Sequence, residues 1–208
     1  MSPSIKITKE EINALPLTAY EGPITIVDND KVLKEVLPAL RKEKVLGFDT
    51  ESRPSFRKGD AYPASLIQFG GARHVWLFQI SKIKDNKPLW KILANPRIIK
   101  AGVAIGDDIK KLQELIDFKP GGFVEIADLT QKAGILNTGL RSLAGLLLSI
   151  RISKRAQVSN WARSRLTEAQ IQYAATDAWV SRQLYIHMQD LGKRARKVAR
   201  ARTHHSNP

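Results

Sequence analysis

Apolar residues recur along this chain in two rhythms. A period of two, or a short unbroken apolar run, marks a strand; apolar positions three and four apart mark one face of a helix. Ile24–Val27 is the first short strand. Asp28, Asn29 and Asp30 then offer caps for a helix over about 31–42, with Val32, Leu33, Val36, Leu37 and Leu40 on one face. Residues 45–51 read as a central strand. Residues 65–69 and 75–79 are strands joined as a hairpin across Gly70 and Gly71. A short helix over 87–93 precedes a strand over 97–101, which runs into Gly102. Asp107 or Asp108 can cap the next helix, which carries Ile109, Leu112, Leu115 and Ile116.

After the break at Gly121 and Gly122 the pattern gives a short strand over 124–126, a helical turn or two over 129–133 and an apolar helix over 140–150. Residues 151–165 are basic and irregular. Thr167 and Gln170 have capping-box spacing and open the longest helix, over about 168–191. Strands cluster first, then alternate with helices, then give way to helices. This order predicts one α/β domain built on a mixed sheet. The expected organisation is an arm over 1–22, the domain over 23–191 and a basic, disordered tail over 192–208.

Composition narrows the class. The chain has 208 residues, 43% hydrophobic and 26% charged, which suits a globular domain with a real core rather than a disordered or fibrous chain. It has no cysteine, which excludes disulfides, thiolate zinc sites, iron–sulfur clusters and thiol catalysis. No run is apolar enough for a membrane helix, and the first residues lack the apolar core of a secretory signal. A cytoplasmic protein without a membrane partner is expected. The 34 Lys and Arg against 20 Asp and Glu give a formal charge of +14. Six of those cations lie from Lys193 onward with no acid among them, so the rest of the chain still carries +8. Such a surplus suits a polyanion, nucleic acid above all, because phosphate neutralisation supplies non-specific affinity.

Acidic residues fall in three places that can carry chemistry. Asp49 and Glu51 alternate on the central strand and so share a face. Two carboxylates that close repel, and a divalent cation with oxygen ligands resolves the repulsion. A solvated strand end is the plain alternative. Asp107 and Asp108 begin a helix, where one or both can serve as caps. Tyr173 and Asp177 stand four apart on the long helix, hence on one face, among alanines. An exposed surface pair is the plain alternative there.

Taken together these segments are similar to the DEDDy 3′–5′ exonucleases of the ribonuclease H-like superfamily. That group includes the ribonuclease D catalytic domain and the Werner syndrome exonuclease domain. The likeness rests on FDTES at 48–52, LIQF at 66–69, GVAIGDDIKKL at 102–112 and LRSLAGLLL at 140–148. It continues through SNWARSRLTEAQIQYAATDAW at 159–179 and LY at 184–185, and so spans about 45–191. It implies a ribonuclease H-like mixed β-sheet flanked by helices. Residue by residue, Asp49 and Glu51 match the first motif, Asp108 rather than Asp107 the second, and Tyr173 with Asp177 the third. Gln172 stands where a related subclass has histidine. Asn160 precedes Trp161 where the family often has an acid.

The resemblance implies hydrolysis of phosphodiester bonds from the 3′ end by two Mg²⁺ or Mn²⁺ ions. Asp49 would bridge the ions, Glu51 and Asp177 would complete one, and Asp108 would hold the other largely through water. Tyr173 would orient the attacking water. Thr50, Arg53 and Arg163 are the candidates for substrate contact, and Arg57, Lys58, Arg151, Lys154, Arg155 and Arg165 add to a basic channel. The substrate is single-stranded nucleic acid or a duplex with a 3′ end, with DNA favoured by the Werner-type likeness and RNA open. The alternatives are a nuclease confined to very short oligonucleotides, and a non-catalytic binding module that keeps the fold.

Overall fold

The computed structural model describes residues 5–55 and 62–204. Thr8 and Glu11 form a capping box that starts α1 (Lys9–Ala14). The expected arm is therefore ordered over its described part. It is tied down by β-bridges from Ile5 to Ile135 and from Leu17 to Arg151. Its Tyr20 is buried, with the backbone N–H donating to the Thr176 hydroxyl at 3.1 Å.

Six strands follow in the order β1-β4-β3-β2-β5-β6 among the described residues. They are β1 (Ile24–Val27), β2 (Val45–Ser52), β3 (Ala64–Gly70), β4 (Val75–Gln79), β5 (Ile99–Gly102) and β6 (Phe123–Glu125). The strands β2, β3 and β4 form an antiparallel meander, and β3 turns into β4 with the Gly71 N–H donating to the His74 carbonyl at 2.8 Å. Parallel partners are added outside: β1 beside β4, then β5 beside β2 and β6 beside β5. The sheet is mixed, as the element order implies.

One register difference places the site. On one side β2 pairs with β3 as far as Ser52; on the other it pairs with β5 only as far as Gly47. The second half of β2 therefore projects beyond β5, and α4 (Gly106–Leu115) begins beside it. Residues of β2 alternate between the two sheet faces. Leu46 and Phe48 join Ile67, Phe69, Trp76 and Phe78 in a core under α2 (Asp30–Lys42), α3 (Lys87–Ala94) and α4. Gly47, Asp49 and Glu51 face the other way.

That second face is covered by α7 (Glu168–His204), the longest helix, which also packs on α6 (Leu140–Leu148). A Cβ on Gly47 would stand 1.8 Å from the Ala178 carbonyl oxygen, and one on Gly70 would stand 2.5 Å from it. Helix backbone thus lies directly on strand backbone, with Ala174, Ala175 and Ala178 at the contact. The capping box of Thr167 and Gln170 forms, with both reciprocal bonds made. Past the expected end near residue 191, α7 runs on to His204, so the tail expected to be disordered is helical that far; residues 205–208 lie outside the described residues. Lys, Arg and Ala are strong helix formers, and the tail alternates them after Gly192. Among the described residues no helix is long and apolar enough to cross a membrane.

Candidate active site

The fold brings Asp49 and Glu51 of β2 to Asp177 of α7, with one carboxylate oxygen from each lying within 4.8 Å of the others. Asp177 is 4% exposed, and its Oδ1 is buried without a hydrogen-bond partner. Asp49 and Glu51 are half-buried. Among the described residues the ion pairs join Lys82 to Asp28, Lys110 to Asp107 and Lys193 to Asp190, and none reaches these groups.

Burial and mutual repulsion drive the acids toward their neutral forms. Burial, then Asp177, Glu51 and Asp108, hold Asp49 well above the usual carboxylate range. Burial, then Asp177 and Asp108, push Glu51 up to about 9, with Lys111 opposing. Burial raises Asp177 to about 7, opposed by the Tyr173 hydroxyl as a donor. Tyr173 is itself raised, first by burial and then by Asp177 and Glu51, so its hydroxyl stays protonated.

Asp108 stands apart from the three. Its Oδ1 accepts a 2.5 Å hydrogen bond from the Thr50 hydroxyl, which places the acid beside the free end of β2. Burial raises its pKa, while Thr50 and Lys111 oppose. Asp107 is exposed and pairs with Lys110 at 2.9 Å. The expectation that either aspartate caps α4 is corrected. The cap position is Ile105, without a side-chain bond, and both aspartates lie inside the first turn. Glu125 does the capping from the end of β6: its carboxylate accepts from the N–H groups of Ala104 and Ile105 at 3.0 and 2.9 Å. Twenty residues separate the partners, so no local pattern announces the contact.

A cleft of about 290 Å³ opens over the carboxylates, bounded by Val103, Leu140, Gln157, Tyr173 and Ser181 among others. Ser181 follows Asp177 by four residues and Tyr173 by eight, so helical spacing could have found it. Gln157 and Leu140 come from separate segments, and nothing local marks them. The Tyr173 ring packs on buried Trp161 with ring centres 5.9 Å apart. Gln172, at the position of the other subclass's histidine, donates from Nε2 to the Tyr20 carbonyl at 2.5 Å and so fastens the N-terminal segment to α7.

The substrate-contact candidates are dispersed. Thr50 lines the cleft, but it is buried and engaged with Asp108. The Arg53 guanidinium lies over the Tyr62 ring at 4.9 Å from its centre. Arg163 is exposed on the segment before α7, and its carbonyl accepts from Gln79. Lys154 lines a second hollow that shares Tyr173 and Asp177 with the cleft. Arg57 and Lys58 lie outside the described residues.

A mixed sheet in this order, with acids on its central strand and a helix crossing them, is the ribonuclease H-like arrangement expected from the sequence. The comparisons carry the assignment further. A family model described as 3′-5′ exonuclease matches residues 24–193, and the chain belongs to that family. It is 29% identical over 162 residues to ribonuclease D of Haemophilus influenzae, a match covering 77% of this chain and 40% of that protein. It is 31% identical over 195 residues to the mouse bifunctional 3′-5′ exonuclease/ATP-dependent helicase WRN, covering 89% of this chain and 14% of that one. The chain thus spans well under half of these relatives' length. The solved Nibbler EXO domain of Aedes aegypti shares the fold with a TM-score of 0.75 at 23% identity, over 85% of this chain and 92% of that chain.

Proposed function

We propose that this chain removes nucleotides from the 3′ end of nucleic acid strands by metal-dependent phosphodiester hydrolysis, with Asp49, Glu51, Asp108, Tyr173 and Asp177 as its catalytic set. The observation that carries the reading is the trio of Asp49, Glu51 and Asp177 within 4.8 Å, one of its oxygens buried and unpartnered. Buried like charges with no cation paired to them suit a hard divalent ion, which takes oxygen ligands alone. Asp49, Glu51 and Asp177 would hold one Mg²⁺ or Mn²⁺, and Asp49 with Asp108 would hold a second. Such ions supply Lewis-acid stabilisation of phosphoryl charge and raise the acidity of water.

The chain's own groups do the rest. Tyr173, kept protonated, orients water by its hydroxyl and takes no proton. Trp161 behind its ring fixes that orientation. Val103 and Leu140 give the cleft an apolar wall against which a terminal nucleoside can lie. The basic surplus, with Lys154 in the hollow beside the cleft, supports strand binding through phosphates. DNA is our first reading, from the Werner-type likeness; the ribonuclease D relative supports RNA as the second. The complete acid set favours an active enzyme over a binding module.

The test is a time course on 5′-labelled DNA and RNA oligonucleotides of several lengths, with Mg²⁺, Mn²⁺ or EDTA. A descending ladder that EDTA abolishes is expected. Undiminished cleavage in EDTA sinks the metal assignment. Cleavage of dinucleotides alone would move the reading to a nuclease of very short oligonucleotides.

A further inference from the structure

Gln68 is a buried polar side chain that the catalytic set leaves unexplained. It lies on β3, fully buried, and both atoms of its carboxamide lack a hydrogen-bond partner. Buried amides are almost always satisfied, so a pair of orphan atoms on one side chain calls for a missing partner. Its neighbours say which. In the sheet register Gln68 stands directly opposite Asp49 of β2 and opposite Leu77 of β4. Directly opposed residues of an antiparallel pair project to the same face, with Cβ atoms about 4.5–5.5 Å apart. Leu77 and Leu66 on that face pack under Ala174, Ala175 and Ala178 of α7 and offer no polar atom in their side chains. Asp49 does. Its Oδ1 accepts the Thr50 N–H at 2.9 Å, and no other hydrogen bond to its carboxylate is made among the described residues.

We propose that Gln68 is a positioning residue for Asp49: on metal loading its carboxamide N–H donates to the Asp49 carboxylate and fixes which way that group faces. The inference rests on the exonuclease reading above. A carboxylate that holds cations takes only hydrogen-bond donors at its remaining lone pairs. On its β3 side Gln68 is the residue in place to supply one. Groups that orient a metal ligand in this way typically contribute about 10–100-fold to metal affinity or activity.

The test compares wild type with Gln68→Met, which keeps length and bulk and removes both polar atoms. A packing role predicts a variant at least as stable, with unchanged function, since two unsatisfied atoms are gone. A positioning role predicts that the metal-free variant melts no lower than wild type, yet binds Mn²⁺ about tenfold more weakly, read by the electron paramagnetic resonance of free Mn²⁺. Its kcat should fall while KM for the oligonucleotide holds. A second readout needs no variant: the Gln68 side-chain N–H₂ resonances of wild type should shift and gain protection from exchange when Mg²⁺ is added. Wild-type Mn²⁺ affinity and kcat in Gln68→Met, or N–H₂ resonances indifferent to Mg²⁺, overturn the proposal. Failure of wild type itself to bind Mn²⁺ or to degrade any oligonucleotide overturns the exonuclease reading instead.

Discussion

The two faces of the sheet are made of opposite materials. Under α2, α3 and α4 the strands present large rings and branched chains, with Phe48, Phe69 and Phe78 in successive contact at 6.2 and 5.5 Å between ring centres. Under α7 the same strands present Gly47 and Gly70, and the helix answers with alanines. The first face buries apolar area, the main source of folding free energy. The second gives up side-chain volume so that helix backbone can reach strand backbone. Only that approach lets Asp177, on a helix, come within ligand distance of Asp49 and Glu51, on a strand. Stability and chemistry are thereby assigned to different sides of one sheet, and each assignment can be broken separately.

Asp49→Asn strikes the chemical side hardest. Asp49 feels all three other acids, so it is the point where their charge is concentrated. Losing the ligand should cost kcat on the order of 10³-fold or more, the several kcal/mol that a metal-centred charge clamp supplies. The metal-free variant should nonetheless melt higher, because a buried repulsion is gone. Melting temperature and single-turnover rate should therefore move in opposite directions; an active variant removes Asp49 from the site.

Tyr173→Phe comes next. It keeps the ring on Trp161 and deletes the hydroxyl. The chemical step should slow by about 10²–10⁴-fold under single-turnover conditions, with melting and Mn²⁺ binding little changed. A wild-type rate would make Tyr173 a packing residue.

A paired test sets the two faces against each other. Gly47→Ala must lift α7 from β2, given a Cβ 1.8 Å from the Ala178 carbonyl oxygen. A displacement near 1 Å should cost kcat about 10²-fold, together with about 1–3 kcal/mol of stability. Ile67→Val, in the core of the other face, should cost about 0.5–1.5 kcal/mol and leave kcat alone. If kcat follows stability along one line for both variants, the division between faces fails.

Much of this was readable in advance because it is local. β1 coincides with its expected range, and alternation on β2 puts Asp49 and Glu51 on one face. The spacing of Tyr173 and Asp177, and the capping box at Thr167, are also short-range facts. Thr8 and Glu11 have capping-box spacing too, and α1 starts there, within the segment read as an arm. In the tail, charge outweighed the helix propensity of Lys, Arg and Ala. Other features were out of reach because their partners meet only in the fold. Glu125 caps a helix twenty residues upstream, Thr50 holds Asp108, and Gln68 stands beside Asp49 across a strand pair. Registers and crossovers decide these contacts, and neither is written in a local period.

The smallest expected effect is a slope against pH, and it belongs to the α7 face. Glu51 rises from 4.5 to about 9 and Asp177 from 3.8 to about 7 in the folded protein. An acid with a raised folded pKa keeps its proton where the unfolded chain has released one. The folded state then binds more protons, so stability falls as pH rises from the unfolded value to the folded one. Metal-free protein should accordingly lose stability from about pH 5 upward, through 7 for Asp177 and toward 9 for Glu51. Two groups elsewhere slope the other way above about pH 5. Burial lowers His74 from 6.5 and lowers Lys100 to about 8, so each binds fewer protons folded than unfolded and adds stability as pH rises through its window. Both are present with or without cations, so the difference between melting curves in Mg²⁺ and in EDTA cancels them. That gap should widen between pH 5 and 8 by a few degrees, given about 2–4 °C per kcal/mol for a domain of this size. Half-exposed Glu51 contributes less than a fully buried acid would. The widening should shrink in Asp49→Asn, where one acid with a raised pKa is gone, and persist in Ile67→Val. A gap that stays constant with pH in wild type would mean that neither burial nor mutual repulsion holds the acids under α7 toward their neutral forms, and the contrast between the faces would reduce to packing alone.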